Sequence, residues 1–175
     1  HRSNTRRREE ALELLRLVWL RTGHSRVQGP FCGYLNQAAV IEAEADRYGA
    51  GTDLLAEAVS VKHNDPHVQK NLPAIIVAAI ADQVDTDPRA AVYSYRDARQ
   101  RVKRAQARSP NPRAFDRVLE KIKERAEIPF FNRFTRALKK EDLRTAHDYA
   151  IGCLEIFPQD EDLRTPLRML MRGLE

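Results

Sequence analysis

The largest local excess of positive charge in this 175-residue chain lies at residues 96–113, which hold seven Lys or Arg and one Asp. Six of those cations, Arg96, Arg99, Arg101, Lys103, Arg104 and Arg108, recur at helical spacing. With Ala98 as origin and about 100° per residue, Ala91, Tyr95, Val102 and Ala105 fall in one narrow stripe. Arg96, Arg99 and Lys103 border that stripe on one side, and Arg101, Arg104 and Arg108 on the other. Rows of this kind suit the carboxylates of an acidic partner or the phosphates of a nucleic acid; phosphate neutralisation releases counterions and makes binding salt-dependent. No aromatic side chains are interleaved for base stacking, since Tyr93 and Tyr95 precede the basic stretch. The rows equally suit a solvated face, paired in part with acidic residues elsewhere in the chain.

Other reactive side chains form no catalytic constellation. His63 and His67 flank Asp65-Pro66, but the proline breaks the alignment that two helical metal ligands need, and no third ligand accompanies them. Asn64 or Asp65 is better read as a helix cap. His147-Asp148 lacks the further His and Asp residues of a metal site. Glu42, Glu44 and Asp46 have no Glu-x-x-His companion and read as an exposed acidic face. Cys32 and Cys153 have no CxxC partner or matched histidine, so they read as small packing residues. Gly29-Pro30-Phe31-Cys32-Gly33-Tyr34 is compositionally unusual and reads as a loop leading into a helix. Only seven glycines are present, which counts against a Gly-rich phosphate loop. The expectation is a protein that is not an enzyme, with no metal and no cofactor.

The whole chain is 42% hydrophobic and 31% charged with a net charge of +5, a composition that folds rather than one that stays disordered. Residues 1–29 carry a net +4, residues 30–95 a net −5 and residues 96–113 a net +6, while 114–175 balance. The basic stretch therefore meets either an outside partner or the acidic third of its own chain, within one molecule or between two copies in a homo-oligomer. Two cysteines do not make a disulfide scaffold, which points to a cytoplasmic or other reducing compartment. No apolar run approaches the roughly 20 residues that cross a bilayer. Residues 1–175 read as one helical domain of a larger protein, with residues 1–8, including Arg6-Arg7-Arg8, as a basic arm.

The elements that must position these residues are helices. Apolar residues recur at helical spacing from about Thr5 to Thr22, with Ala11, Leu12, Leu14, Leu15, Val18 and Trp19 forming a wide face. Further helices are expected at about 31–48, ended by Gly49-Ala50-Gly51, and at 54–63, capped by Thr52 or Asp53. The very apolar 74–84 follows Pro73, and 89–108 is broken by Ser109-Pro110-Asn111-Pro112. Later helices are expected at 113–127, at 130–140 after Pro129, at 143–157 and at 163–174. No stretch alternates as a strand does, so the fold is expected to be all-α, with about seven to nine helices.

Three of these helices end alike. Leu54, Ala58, Val61 and Pro66 share a spacing of four, three and five with Ala98, Val102, Ala105 and Pro110, and with Ala146, Ala150, Cys153 and Pro158. Small residues on one face let a neighbouring helix approach, and the proline prevents continuation. The segments Tyr95-Arg96-Asp97-Ala98 through Pro110-Asn111 and Glu141-Asp142-Leu143-Arg144-Thr145-Ala146 through Pro158 resemble the second helix of a tetratricopeptide repeat. Here the units recur after 44 and 48 residues, against about 34 in that family. The resemblance implies an irregular stack of antiparallel helical hairpins, an α-solenoid, and a surface that binds a protein partner without catalysis. Nucleic-acid binding through residues 96–113 and the N-terminal arginines is the alternative.

Overall fold

A computed structural model of the protein describes residues 2–156, together with Thr165, Arg168, Met169 and Arg172. The side chains of residues 2–6 and 155, most of the expected helix over 163–174 and the repeat proline Pro158 lie outside the described residues. The described chain is all-α: α1 (Arg2–Thr22), α2 (Ser25–Glu44), α3 (Tyr48–Val61), α4 (Pro66–Val84), α5 (Pro88–Arg108), α6 (Asp116–Lys139) and α7 (Leu143–Ile156), with a 3-10 turn at Pro112–Phe115. No strand occurs among the described residues. The chain forms two compact units, one of residues 1–75 and 100–119, the other of residues 76–99 and 120–175.

In the first unit α2 packs on α3, and α1 packs on α2. The buried residues of α2 are Phe31, Cys32, Leu35 and Ala39, a helical face at intervals of four. Helix α3 is buried over most of its circumference through Gly51, Thr52, Leu55, Ala56, Ala58 and Val59, as expected of a central helix. Val68, Leu72, Ile75, Val102, Phe115 and Val118 complete this core. In the second unit α6 contributes Ile122, Ala126, Phe130 and Phe134, again at intervals of four, and α7 contributes Ala146, Tyr149, Ala150 and Cys153. The Tyr149 hydroxyl donates to the Val84 carbonyl at 3.0 Å, so this large aromatic is buried without stranding its polar end.

Helix starts follow local chemistry. Asp65 Oδ1 accepts from the N–H groups of His67 and Val68, Asp87 Oδ1 from those of Arg89 and Ala90, and Asp142 Oδ1 from that of Thr145. Each satisfies donors that the first helical turn leaves open. His24 does the same for α2, its Nδ1 accepting from the Arg26 N–H at 3.1 Å.

Three expected boundaries move. Helix α2 starts at Ser25 and runs through Pro30, α4 runs through Pro73 and α6 through Pro129. A proline inside a helix costs about 3 kcal/mol, but burying one Phe or Ile side chain gains about 1.5–3 kcal/mol. Phe31 follows Pro30, Ile75 and Ile76 follow Pro73, and Phe130 follows Pro129, all of them buried. Helix continuity places more than one such side chain in the core each time, with Leu35 buried after Phe31, Ile80 after Ile76 and Phe134 after Phe130, so the summed burial wins. Gly49-Ala50-Gly51 also lies inside α3 rather than ending α2. The break falls earlier, at Asp46, whose φ of 58° turns the chain where an acidic side chain is tolerated. Thr52, expected as a cap, lies within α3 and donates to the Tyr48 carbonyl.

Two glycines mark close approaches. A Cβ on Gly51 would lie 2.9 Å from the Ala39 carbonyl oxygen, and one on Gly152 would lie 2.7 Å from the Phe130 ring. Gly33, on the exposed side of α2, has nothing within 4 Å of a Cβ. The overpacking cost of about 1–3 kcal/mol exceeds the helix-propensity gain of up to about 1 kcal/mol at the first two sites and is absent at the third. Gly51→Ala and Gly152→Ala should therefore lower the urea midpoint, while Gly33→Ala should raise it. Chemical denaturation of the three variants checks the ordering.

Candidate functional site

The basic row of α5 divides by environment. Arg96 and Arg99 stand on the part of α5 within the second unit; Arg101, Lys103, Arg104 and Arg108 stand in the first. All are exposed except Arg101, which is half-buried. Between them the helix is anchored by its apolar stripe, with Ala91, Tyr95, Ala98 and Val102 buried as the periodicity requires. Burial raises the Tyr95 phenol above its ordinary range and Arg99 opposes that shift, which fits a tyrosine that packs inward.

Arg101 is held by two features of α3. Its guanidinium donates to Asp53 Oδ2 at 2.6 Å, and it lies against Gly49, where a Cβ would come within 3.1 Å of its Cζ. The missing side chain at position 49 lets the planar guanidinium rest on backbone. Asp53 belongs to the acidic third of the chain, so part of the basic row is neutralised internally. Arg104 and Arg108 form no ion pair among the described residues, and with Arg101 they line a groove of about 380 Å³. Asp53, Glu57 and Ser60 of α3 also line it, with Ala56 and Ala105 leaving it open. Glu57 is itself gripped by Arg16 of α1 through two hydrogen bonds of 2.7 Å, which place α1 against α3 and raise the Arg16 pKa.

The Arg104 and Arg108 positions were legible in the sequence as one row of a helical wheel. Asp53, Glu57 and Ser60 were not assigned to a site, although their spacing of four and three places them on one face of α3. What the chain alone lacks is the information that this face meets α5. Arg7 and Arg8 of the N-terminal cluster stand on α1 and line a more apolar hollow of about 360 Å³ with Leu12, Tyr34, Ile41 and Glu42. The Glu42 carboxyl pairs with Arg47 at 2.5 Å and is held below its usual range by that hydrogen bond.

The remaining reactive groups do not converge. His63 and His67 are exposed, the first accepting at its carbonyl from Gln69, and Asp65 between them is the cap of α4. His147 Nδ1 lies 3.9 Å from Asp148. No group of three or more His, Cys, Asp or Glu suited to a metal occurs among the described residues. The stretch from Gly29 to Tyr34 is helix rather than loop. No helix among the described residues is long and apolar enough to cross a membrane.

Compared with known proteins, the chain matches no family model, no curated protein and no solved structure.

Both cysteines are buried. Desolvation, with Asp65 nearby, pushes the Cys32 thiol up to about 11, and desolvation pushes the Cys153 thiol up to about 12. A thiol must ionise to act as a nucleophile, so the native protein should resist iodoacetamide near neutral pH. Both sites should alkylate once urea unfolds it. Mass spectrometry before and after denaturation reads this directly, and fast native labelling of either cysteine contradicts the buried geometry.

Proposed function

We propose that the chain is a non-catalytic helical interaction domain that docks a protein partner in the groove between α3 and α5. The single observation that carries this reading is the mixed charge of that groove: Arg104 and Arg108 face it from α5, Asp53 and Glu57 from α3. A peptide carrying acidic side chains with occasional cations matches both walls. A phosphate backbone matches only the α5 wall: on the α3 wall Asp53 and Glu57 are already paired with Arg101 and Arg16, so that wall offers a phosphate no cation. Arg101 already spends its charge on Asp53, which leaves two cations for a ligand; tight phosphate binding commonly uses more.

The stacked-hairpin reading belongs to the same proposal. Ala58, Ala98, Ala146 and Ala150 are all buried, which supports small residues at helix contacts, the device by which stacks of helical hairpins bring neighbouring helices close. In this reading the tetratricopeptide-like segments serve packing, and the groove serves recognition.

Nucleic-acid binding stays as the second reading because Arg96, Arg99, Lys103, Arg104 and Arg108 are all exposed on one helix. The two readings separate in a paired experiment. The wild-type chain and Arg104→Glu/Arg108→Glu are used as baits at about 0.15 M salt, where exposed charges more than about 8 Å apart are largely screened. A labelled 20-mer oligonucleotide is titrated in parallel. Expected is a stoichiometric protein bound by the wild type and weakened about 10- to 100-fold by the double reversal, with no oligonucleotide shift. An oligonucleotide shift that weakens steeply with salt and vanishes in the variant favours the second reading; equal capture by both baits removes the groove from either.

A further inference from the structure

The sequence predicts one wide apolar face on α1, and the structure splits it. Leu12, Leu15 and Trp19 are half-buried on the side packed against α2. Leu14, Leu17 and Val18 remain 63%, 53% and 42% exposed. Three neighbouring apolar side chains on one helical stripe are more than the scattered exposure normal for a protein surface.

What covers the stripe is indicated by the charges that bracket it. Residues 10, 14, 17 and 21 are Glu, Leu, Leu and Arg, with spacings of four, three and four. That is the seam of a two-helix coiled coil, apolar in the middle and charged at its ends. The order is also self-complementary. If two copies of α1 lie antiparallel with their centres between residues 15 and 16, Leu14 of each copy faces Leu17 of the other. Glu10 then faces Arg21, and the two-fold axis makes every contact twice, as an isologous interface demands. A parallel pairing would instead set Glu10 against Glu10 and Arg21 against Arg21. Glu10, Leu14, Leu17 and Arg21 are all exposed, so the two leucines are accessible to a second copy.

We propose that the exposed stripe of α1 is the site of self-association, closing an antiparallel two-fold dimer through Leu14 and Leu17 with Glu10–Arg21 pairs at both ends. This surface is on the opposite side of α1 from the Arg16–Glu57 contact, which faces α3 within the same chain. The dimer is independent of the proposed partner groove, and either can fail without the other.

Sedimentation velocity of the 175-residue chain, from about 1 to about 200 µM, tests it. The wild type should shift from monomer to dimer within that range. Leu14→Glu/Leu17→Glu should stay monomeric throughout, a weakening of at least about 100-fold, with an unchanged far-UV spectrum because both side chains are exposed. Glu10→Arg alone and Arg21→Glu alone should each weaken the dimer about tenfold, since like charges then meet twice. Combining them should restore it. A wild type that is monomeric at the highest concentration overturns the proposal. So does a dimer that survives Leu14→Glu/Leu17→Glu, or a charge-exchanged double variant that associates no better than the single ones.

Discussion

The approach of α2 to α3 at Gly51 is the contact on which the first unit depends. At 2.9 Å from a would-be Cβ to the Ala39 carbonyl oxygen, there is no room for a side chain, and so α3 sits as deep as backbone allows. Its depth fixes what its other faces reach. Leu55, Ala56, Ala58 and Val59 enter the core, Glu57 meets Arg16 of α1, and Asp53 meets Arg101 of α5. The groove that holds Arg104 and Arg108 exists only because α3 presents Asp53, Glu57 and Ser60 from that position. In the second unit Gly152 against Phe130 does the same kind of work.

The ion pairs place elements more than they hold them together. Exposed pairs are worth about 0–1 kcal/mol each, and Arg47–Glu42, Arg133–Asp85 and Arg101–Asp53 all have at least one exposed partner. Arg133 holds the Asp85 carboxyl below its usual range, so whatever that pair adds is present at neutral pH and fades as acid protonates the carboxylate. Burial of Phe31, Phe115, Phe130 and the Leu, Ile and Val side chains around them carries the larger share of stability. Charge decides which face of a helix looks outward, and apolar area decides that it folds.

The helical class and the inward stripe of α5 were readable because periodicity is a local property of the chain: Tyr95, Ala98 and Val102 fall where a 3.6-residue repeat puts them. The helix start at Asp65 was readable for the same reason, since a cap and its recipient lie within three residues. Prolines misled. Pro30, Pro73 and Pro129 carry a strong local preference for a break, overridden by Phe31, Ile76 and Phe130, whose burial depends on partners remote in the chain. The wide face of α1 misled in the opposite sense, because hydrophobicity alone does not tell which half of a stripe finds a neighbour. The acidic wall of the groove was out of reach for a related reason: nothing within α3 announces that α5 is beside it.

Gly49 gives the groove a setting that no lining residue controls. The Arg101 guanidinium occupies the space a side chain would take there, and this keeps one of three arginines turned toward Asp53. A larger residue at position 49 would lift that guanidinium off the backbone and hand its charge to whatever lies in the cleft. Recognition strength in this molecule is thereby adjustable from beneath, by a residue whose contribution is to be absent.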